Sequence, residues 1–156
     1  MPGPLDGIKV VEFSEIIAGP VSGVMLSDLG AHVTKVEPPW GDPWRSSPTR
    51  VGPPEVKETR GFIAVNRGKR SIRLDLTNPD AVKVVHRLVA ESDVVVTNHR
   101  PDVPAKLGID YETLSAIKPD LIYCELTAFG RFGPESAKPG YDLIMQARTG
   151  LMATNG

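Results

Sequence analysis

The sequence predicts an α/β domain in which a parallel sheet is covered by helices on both faces, a doubly wound, Rossmann-like arrangement. Two observations support this fold class. Short β-rich segments alternate with segments of helical period along the chain. One β-rich segment, residues 93–97 (DVVVT), is almost continuously apolar, which is typical of a strand buried on both faces of a parallel sheet. The length of 156 residues suits one domain with a substantial core.

The first strand-helix-strand unit is the clearest part of the pattern. Residues 8–13 are β-rich, and Pro20 stands where proline is favoured, in the first turn of a helix that ends at Gly30. Residues 32–37 give the next strand. The apolar stripe of the helix consists of Val21, Val24, Met25 and Leu29. Such a unit crosses over right-handed into a parallel sheet.

The remaining elements follow a loop. Residues 38–58 are rich in Pro, Gly, Arg and Trp and have no period, which predicts a long connection. Beyond it we predict strands at residues 71–76, 93–97 and 121–126, helices that begin at Pro79 and Tyr111, and a last helix from about Gly140. Because ligands of such sheets bind beyond the carboxyl ends of the strands, the candidate site comprises residues 14–19, 38–44, 98–100 and 127–130.

The composition narrows the classes of partner. A formal net charge of -1 argues against a nucleic-acid coat or a membrane-surface protein, both of which carry a basic excess. Cys124 is the single cysteine, so a disulfide framework and a multi-cysteine zinc site are excluded. We see no signal-peptide core and no apolar run of membrane-spanning length. We therefore expect a cytoplasmic protein without metal, nucleic-acid or membrane partners.

The turn after the first strand does not fit a dinucleotide site. Its glycines and those of the following helix, Gly19, Gly23 and Gly30, lack the G-x-G-x-x-G spacing that a pyrophosphate requires. Glu37 ends the second strand, where a ribose-binding acid would stand, but this position alone is weak evidence. A nicotinamide enzyme is therefore disfavoured, and Gly19-Pro20 is explained as a helix start.

Two further segments leave alternatives open. Residues 60–73 contain five cations and no acid, namely Arg60, Arg67, Lys69, Arg70 and Arg73. They could bind a polyanionic phosphate ligand or form a solvated loop and strand edge. After the buried strand, Asn98 and His99 could bind a ligand; equally, Asn98 could cap the next turn and His99 could pack. His32 and His86 have no clustered partner and are interpreted as structural.

Six segments in series resemble the N-terminal part of the family III CoA-transferases, which include carnitine and formyl-CoA:oxalate CoA-transferases and α-methylacyl-CoA racemase. They are PLDGIKVVEFSEIIAGPVSGVMLSDLGAHVTKVEPP, NRGKRSIRLDL, DVVVTNHRP, KLGIDYETL, PDLIYCELTAFGRFGP and KPGYDLIMQARTGLM. The order and spacing of these segments are specific, although each is weak alone. The resemblance implies that residues 1–156 are the N-terminal part of the family's large Rossmann-like, CoA-binding domain, without its small domain and C-terminal return.

The resemblance also implies a ligand and its contacts. Coenzyme A, as a substrate thioester, would replace the dinucleotide, with no NAD and no metal. The turn at Ile16 and Ile17 would border the pantetheine end. The family's CoA contacts fall on Leu74, Thr77, Asn98, His99, Lys106 and Leu107. Lys69 and Arg70, in the NRGKRS motif, are candidate phosphate partners. His99 replaces a common Phe, and Lys106 replaces an Arg, which would change the phosphate geometry.

The activity implied by the resemblance is the transfer of CoA from an acyl-CoA donor to a carboxylic acid. The family proceeds through an aspartyl-CoA thioester, and its nucleophilic Asp is expected after Gly156, so we expect residues 1–156 alone to be inactive. Asp142 matches a helix start. Tyr141 stands where the racemases have a catalytic His, which favours transfer over racemisation. Full-length members form interlocked homodimers. The alternative is a non-catalytic module that binds CoA or a partner.

Overall fold

The computed structural model describes residues 3–46 and 58–155. Five strands form one sheet in the order β3-β2-β1-β4-β5, and every neighbouring pair is parallel. The strands are β1 (Lys9–Phe13), β2 (His32–Glu37), β3 (Arg70–Arg73), β4 (Val94–Thr97) and β5 (Ile122–Glu125). The strand order reverses between β1 and β4, which confirms the predicted doubly wound fold and places the ligand crevice beyond these two strands.

The helices agree with the sequence where the helical period is long. They are α1 (Ala18–Asp28), α2 (Arg60–Asn66), α3 (Pro79–Ala90), α4 (Val103–Leu107), α5 (Tyr111–Ile117), α6 (Asp142–Thr149) and α7 (Leu151–Asn155). The predicted last helix begins at Asp142 and is interrupted at Gly150, whose φ of 79° ends α6 in the left-handed conformation. In residues 3–46 and 58–155, no helix has the length and apolar character that crossing a bilayer requires.

Helices α2 and α4 and one turn of 3-10 helix were not predicted from the sequence. Residues 38–58 contain the 3-10 helix Pro43–Ser46, and residues 47–57 of that predicted loop lie outside the described residues. Helix α2 occupies part of the basic segment; Thr59 caps it by accepting from the Phe62 amide at 3.1 Å, and Phe62 is buried under the Arg45 guanidinium. Helix α4 is five residues long, too short for a period to be recognised.

The core lies on both faces of the sheet, because successive side chains of a strand point to opposite faces. On one face, Val11 and Val95 pack with Val85 of α3 and Leu114 of α5. On the other, Val10, Val33 and Val96 pack with Leu26 of α1. Strand β4 is thus buried on both faces, as its apolar run predicts.

The face of the sheet below α1 becomes charged toward the carboxyl ends of β1 and β2. Lys35 Nζ lies 3.2 Å from Glu12 Oε1 and 3.0 Å from Asp42 Oδ2, and it donates to the Ser14 carbonyl. Lys69 Nζ lies 2.7 Å from Glu12 Oε2. We call Glu12, Lys35, Asp42 and Lys69 the buried charge cluster, since each side chain is at most 1% exposed. The pairing is essential because a lone buried charge is strongly destabilising.

Candidate functional site

The turn between β1 and α1 has an unusual backbone. Within the part of the chain that the structure describes, Ile16 is the single non-glycine residue with a positive φ, 67°. A β-branched side chain disfavours this conformation, so the surrounding contacts must hold it. The Glu15 amide donates to Asn98 Oδ1 at 2.9 Å, and Asn98 Nδ2 donates to the Glu15 carbonyl at 2.9 Å. The Ile16 amide donates to Asp42 Oδ2 at 3.3 Å. The turn is therefore fixed by β4 on one side and by the buried charge cluster on the other.

Glu37, the acid at the end of β2, is committed to bonds inside the protein. Arg45 donates to both carboxylate oxygens, from Nε at 2.7 Å and from Nη2 at 2.6 Å. Ser71 Oγ donates at 2.5 Å, and the Asp42 amide donates at 2.8 Å. The carboxylate thus fixes the loop after β2 rather than offering its oxygens to a ribose. This geometry agrees with the sequence argument against a nicotinamide site.

The same bonds make the stability of the folded protein depend on pH through Glu37. Burial by itself raises the pKa of Glu37, but the bonds from Arg45, Ser71 and the Asp42 amide outweigh it and lower the pKa to about 2. The folded-state pKa lies below the ordinary value of 4.5. The stabilisation is therefore complete above pH 4.5 and is lost as the pH falls from 4.5 toward 2.

We predict that Glu37→Gln reduces this pH dependence. Urea unfolding at a series of pH values should show the free energy of unfolding of the wild type falling more steeply through this window than that of Glu37→Gln. Glu91→Gln, a matched change of an exposed Glu whose carboxylate lies 3.8 Å from Lys9 Nζ, serves as the control and should follow the wild type. Parallel curves for wild type and Glu37→Gln would contradict the assignment.

The strand tips enclose two connected spaces. The first, which we call the β3-side cavity, has a volume of about 170 Å³, and its walls include Trp40, Leu74, Thr77, His99 and Leu107. The second, which we call the β5-side cleft, has a volume of about 620 Å³, and its walls include Ile17, Asn98, His99, Tyr141 and Asp142. An adjoining space of about 410 Å³ shares most walls of the cleft and adds Ile16. His99 borders all three spaces and therefore marks the centre of the crevice.

Seven of the ten candidate CoA contacts line this crevice. They are Ile16, Ile17, Leu74, Thr77, Asn98, His99 and Leu107. Lys106 precedes Leu107 on α4; its side chain is 70% exposed, and its Nζ lies 2.7 Å from Asp102 Oδ2. Lys106 does not line the crevice, and its flexible side chain can reach a ligand there only by leaving that carboxylate.

Lys69 and Arg70 lie elsewhere, and the phosphate role expected for them does not fit. The Lys69 ammonium is enclosed between Glu12 Oε2 and the Pro20 carbonyl, which it contacts at 2.8 Å. Burial lowers the pKa of Lys69, although the Glu12 carboxylate opposes this effect. Arg70 begins β3 and thus lies at the amino end of that strand, away from the crevice. Lys69 and Arg70 therefore do not converge on the crevice.

Asn98 and His99 have more specific contacts than the sequence indicates. Asn98 does not cap a turn: its Oδ1 accepts from the Glu15 amide and its Nδ2 donates to the Glu15 carbonyl, which leaves one amide N–H and one lone pair for a ligand. His99 Nδ1 lies 3.0 Å from Thr97 Oγ1. Burial lowers the pKa of His99, with a smaller opposite effect from the Phe13 backbone. The imidazole is therefore neutral at neutral pH and offers an aromatic face and a polar edge rather than a charge.

Two walls of the β3-side cavity lie in the predicted strand-tip segments, residues 14–19 and 38–44, but were not among the ten candidate CoA contacts. They are Glu15 and Trp40. Burial, with the nearby Asp42 carboxylate, raises the pKa of Glu15. Asp142 lies in the first turn of α6 as expected, but its Oδ2 accepts from Gln146 Nε2 at 2.6 Å and does not cap the helix. Among residues 3–46 and 58–155, no three His, Cys, Asp or Glu side chains are grouped as a metal site would require.

Comparison with known proteins gives one consistent result. CoA-transferase family III matches residues 5–156. Succinate–glutarate CoA-transferase of Agrobacterium fabrum is 45% identical over 161 residues, which cover 98% of this chain and 39% of that protein. Succinyl-CoA:glutarate CoA-transferase of Homo sapiens is 40% identical over 155 residues, 98% of this chain and 34% of the human protein.

The structural comparison agrees. The crystal structure of a CaiB/BaiF family protein from Brucella suis has a TM-score of 0.90 and 46% identity, over 97% of this chain and 40% of that chain. The chain thus spans less than half the length of the relatives it matches. Both the sequence and the fold lead to the same assignment, and the chain belongs to CoA-transferase family III.

Proposed function

We propose that this chain supplies the CoA-binding crevice of an enzyme that transfers CoA from an acyl-CoA donor to a carboxylic acid. The observation that supports the proposal most strongly is the convergence of seven candidate CoA contacts on one crevice at the carboxyl edge of the sheet. This edge is where open α/β sheets bind ligands. The names of the relatives, which are CoA-transferases for succinate, succinyl-CoA and glutarate, support the reaction class.

The proposed orientation follows from the two spaces. The nucleotide end of CoA lies toward the β3-side cavity, with Leu74 and Leu107 as apolar walls. Lys106 precedes Leu107 on α4 and would turn its ammonium toward this end of the ligand. The pantetheine arm passes His99 and brings the thioester to the turn at Ile16 and Ile17. The larger β5-side cleft then leaves room for the acyl group and the acceptor acid.

The proposed chemistry is nucleophilic catalysis by an aspartate. A carboxylate oxygen attacks the thioester carbonyl, and CoA leaves as a thiolate while a mixed anhydride forms. The thiolate attacks the aspartyl carbonyl of that anhydride, which releases the donor acid and leaves an aspartyl-CoA thioester. The acceptor carboxylate repeats these steps in reverse, so that acceptor-CoA leaves and the aspartate is restored.

We propose that this aspartate follows Gly156, as the family resemblance implies. Three aspartates near the crevice already accept hydrogen bonds inside the protein. Asp42 accepts from the Ile16 and Trp44 amides and pairs with Lys35. Asp75 accepts from the Thr77 amide and hydroxyl, and Asp142 accepts from Gln146. The assignment of residues 1–156 to part of a larger domain, the interlocked homodimer and the cytoplasmic location stay predictions.

A substitution at Lys106 tests the proposed position of the nucleotide end of CoA. We predict that Lys106→Ala weakens the binding of CoA about five- to tenfold and the binding of dephospho-CoA much less, because the ammonium would pair with the ribose phosphate. Lys83→Ala, on α3 with a comparably exposed ammonium 2.8 Å from Asp80, is the matched control and should bind both ligands as the wild type does. Equal losses for the two ligands would remove the assignment.

A transfer assay on the full-length protein tests the proposed function. Succinyl-CoA and glutarate are supplied, and glutaryl-CoA is measured by chromatography. The other carboxylic acids named for the relatives, oxalate and mesaconate, follow as acceptors. Formation of an acyl-CoA from an added acid is the expected result. Binding of CoA without transfer to any of these acids would instead support the non-catalytic module, and exchange of an α-proton without transfer would support racemisation.

A further inference from the structure

Trp40 has no role in the site as described, yet it occupies a distinctive place in it. It lies just after β2, and it borders the β3-side cavity, which aliphatic side chains also line. The residue is 78% exposed, although tryptophan usually buries most of its large apolar surface. A large exposed aromatic ring at the mouth of a cavity is typical of a ligand or partner contact.

The backbone that carries Trp40 is rigid. The Gly41 amide donates to the Pro38 carbonyl at 2.8 Å, which closes a four-residue turn with Pro39 in its second position. Gly41 has a φ of 85°, a conformation that suits glycine. Immediately after the turn, the Asp42 amide is bound to Glu37 at 2.8 Å. The backbone at Trp40 is therefore fixed without a ligand, which lowers the ordering cost of a contact with one.

The chemistry of the cavity selects among ligand groups. Besides Trp40, the cavity is lined by aliphatic residues, with Val36, Leu74 and Leu107 among them, while Thr77 and Asp75 contribute polar groups. A volume of about 170 Å³ accommodates one flat heterocycle but not a whole cofactor. The Asp75 carboxylate can accept a hydrogen bond from an exocyclic amino group. An adenine base combines the flat apolar faces and the amino group that these walls match.

We propose that Trp40 is a stacking platform for the adenine of the acyl-CoA substrate, with the aliphatic walls of the β3-side cavity against the other face of the base. This inference rests on the proposed function, because it takes CoA as the ligand. Trp40 would then contribute to the affinity for the nucleotide end of CoA and not to the affinity for the pantetheine arm.

Calorimetric titration of the full chain tests the proposal with three probes: CoA, adenosine 3′,5′-bisphosphate and 4′-phosphopantetheine, which lacks the base. Trp40→Ala should raise the Kd of both adenine-containing probes roughly 5- to 150-fold, the range expected for one stacked base. Its Kd for 4′-phosphopantetheine should equal that of the wild type. Trp40→Phe should recover most of the affinity.

The control is Trp44→Phe, which changes a half-buried tryptophan four residues away and should bind all probes as the wild type does.

The outcomes separate this inference from the proposed function. An unchanged Kd for CoA in Trp40→Ala, or an equal loss for 4′-phosphopantetheine, would overturn the stacking role even though CoA binds. Bisphosphate binding that depends on Trp40, in a protein that does not bind CoA, would support the adenine platform and contradict the proposed function. A protein that binds neither CoA nor the bisphosphate would contradict both. Since the side chain is exposed, Trp40→Ala should fold, and its thermal unfolding midpoint checks this.

Discussion

Lys35→Met is expected to lower the free energy of unfolding by about 3–5 kcal/mol, the usual cost of removing one partner from a buried ion pair. Lys35 holds two carboxylates at once, Glu12 and Asp42, and its side chain is 1% exposed. Methionine preserves the length and apolar part of the side chain but leaves both carboxylates without this cation. The effect should extend to the crevice, since Asp42 also binds the amide of Ile16.

The measurement is urea unfolding of the full chain, with Lys83→Met as the control. Lys83 is also a lysine in an ion pair, but its side chain is 73% exposed, so its replacement should change stability by less than about 0.5 kcal/mol. Similar small effects of the two substitutions would show that the buried charge cluster does not hold the sheet and turn together as described.

Gly23→Ala is expected to destabilise the protein, although alanine in place of glycine ordinarily stabilises a helix by about 1 kcal/mol. A β-carbon at Gly23 would lie 1.8 Å from Glu12 Oε2 and 3.0 Å from Lys69 Nζ. Glu12 cannot yield easily, because Lys35, Lys69 and the Ser14 hydroxyl fix its carboxylate. We expect a loss of about 2–4 kcal/mol, since α1 must move away from β1 or the ion pair must separate.

Met25→Ala, on the exposed side of the same helix, provides the comparison for Gly23→Ala. Met25 is 60% exposed, so its replacement should change the free energy of unfolding by less than about 0.5 kcal/mol. Chemical denaturation of both variants shows whether each substitution raises or lowers the free energy of unfolding. A more stable Gly23→Ala variant would mean that α1 does not approach the Glu12–Lys69 pair as closely as the structure has it.

The sequence predicted the elements that have a strong local pattern. The apolar run of β4 and the start of α3 at Pro79 depend on neighbours in the chain and were recognised. Helices α2 and α4 were missed, α2 because its segment was interpreted only through its charges, and α4 because five residues do not establish a period. The doubly wound fold class followed from the alternation of strands and helices, but the strand order, in which β1 pairs with β4, was not predicted.

The contacts that shape the site depend on residues far apart in the chain, and the sequence could not supply them. Lys69 belongs to a basic segment and was expected at a phosphate, but folding places it below α1 against Glu12, 57 positions earlier in the sequence. Asn98 was expected to cap or bind, but it meets Glu15, which is 83 positions away. The alternation of side chains along a strand predicts which face of the sheet a residue lies on, but not which distant residue it contacts there. The family resemblance, in contrast, located most of the crevice because its motifs occupy the strand tips.

Calorimetric titration of the full chain with CoA, and with NAD as the control, tests most directly whether the crevice at the carboxyl edge is a CoA site. We predict that CoA binds and NAD does not, since Glu37 is committed to Arg45 and the turn at Ile16 lacks the dinucleotide glycine spacing. Binding of NAD, or a folded protein that binds neither ligand, would contradict the account.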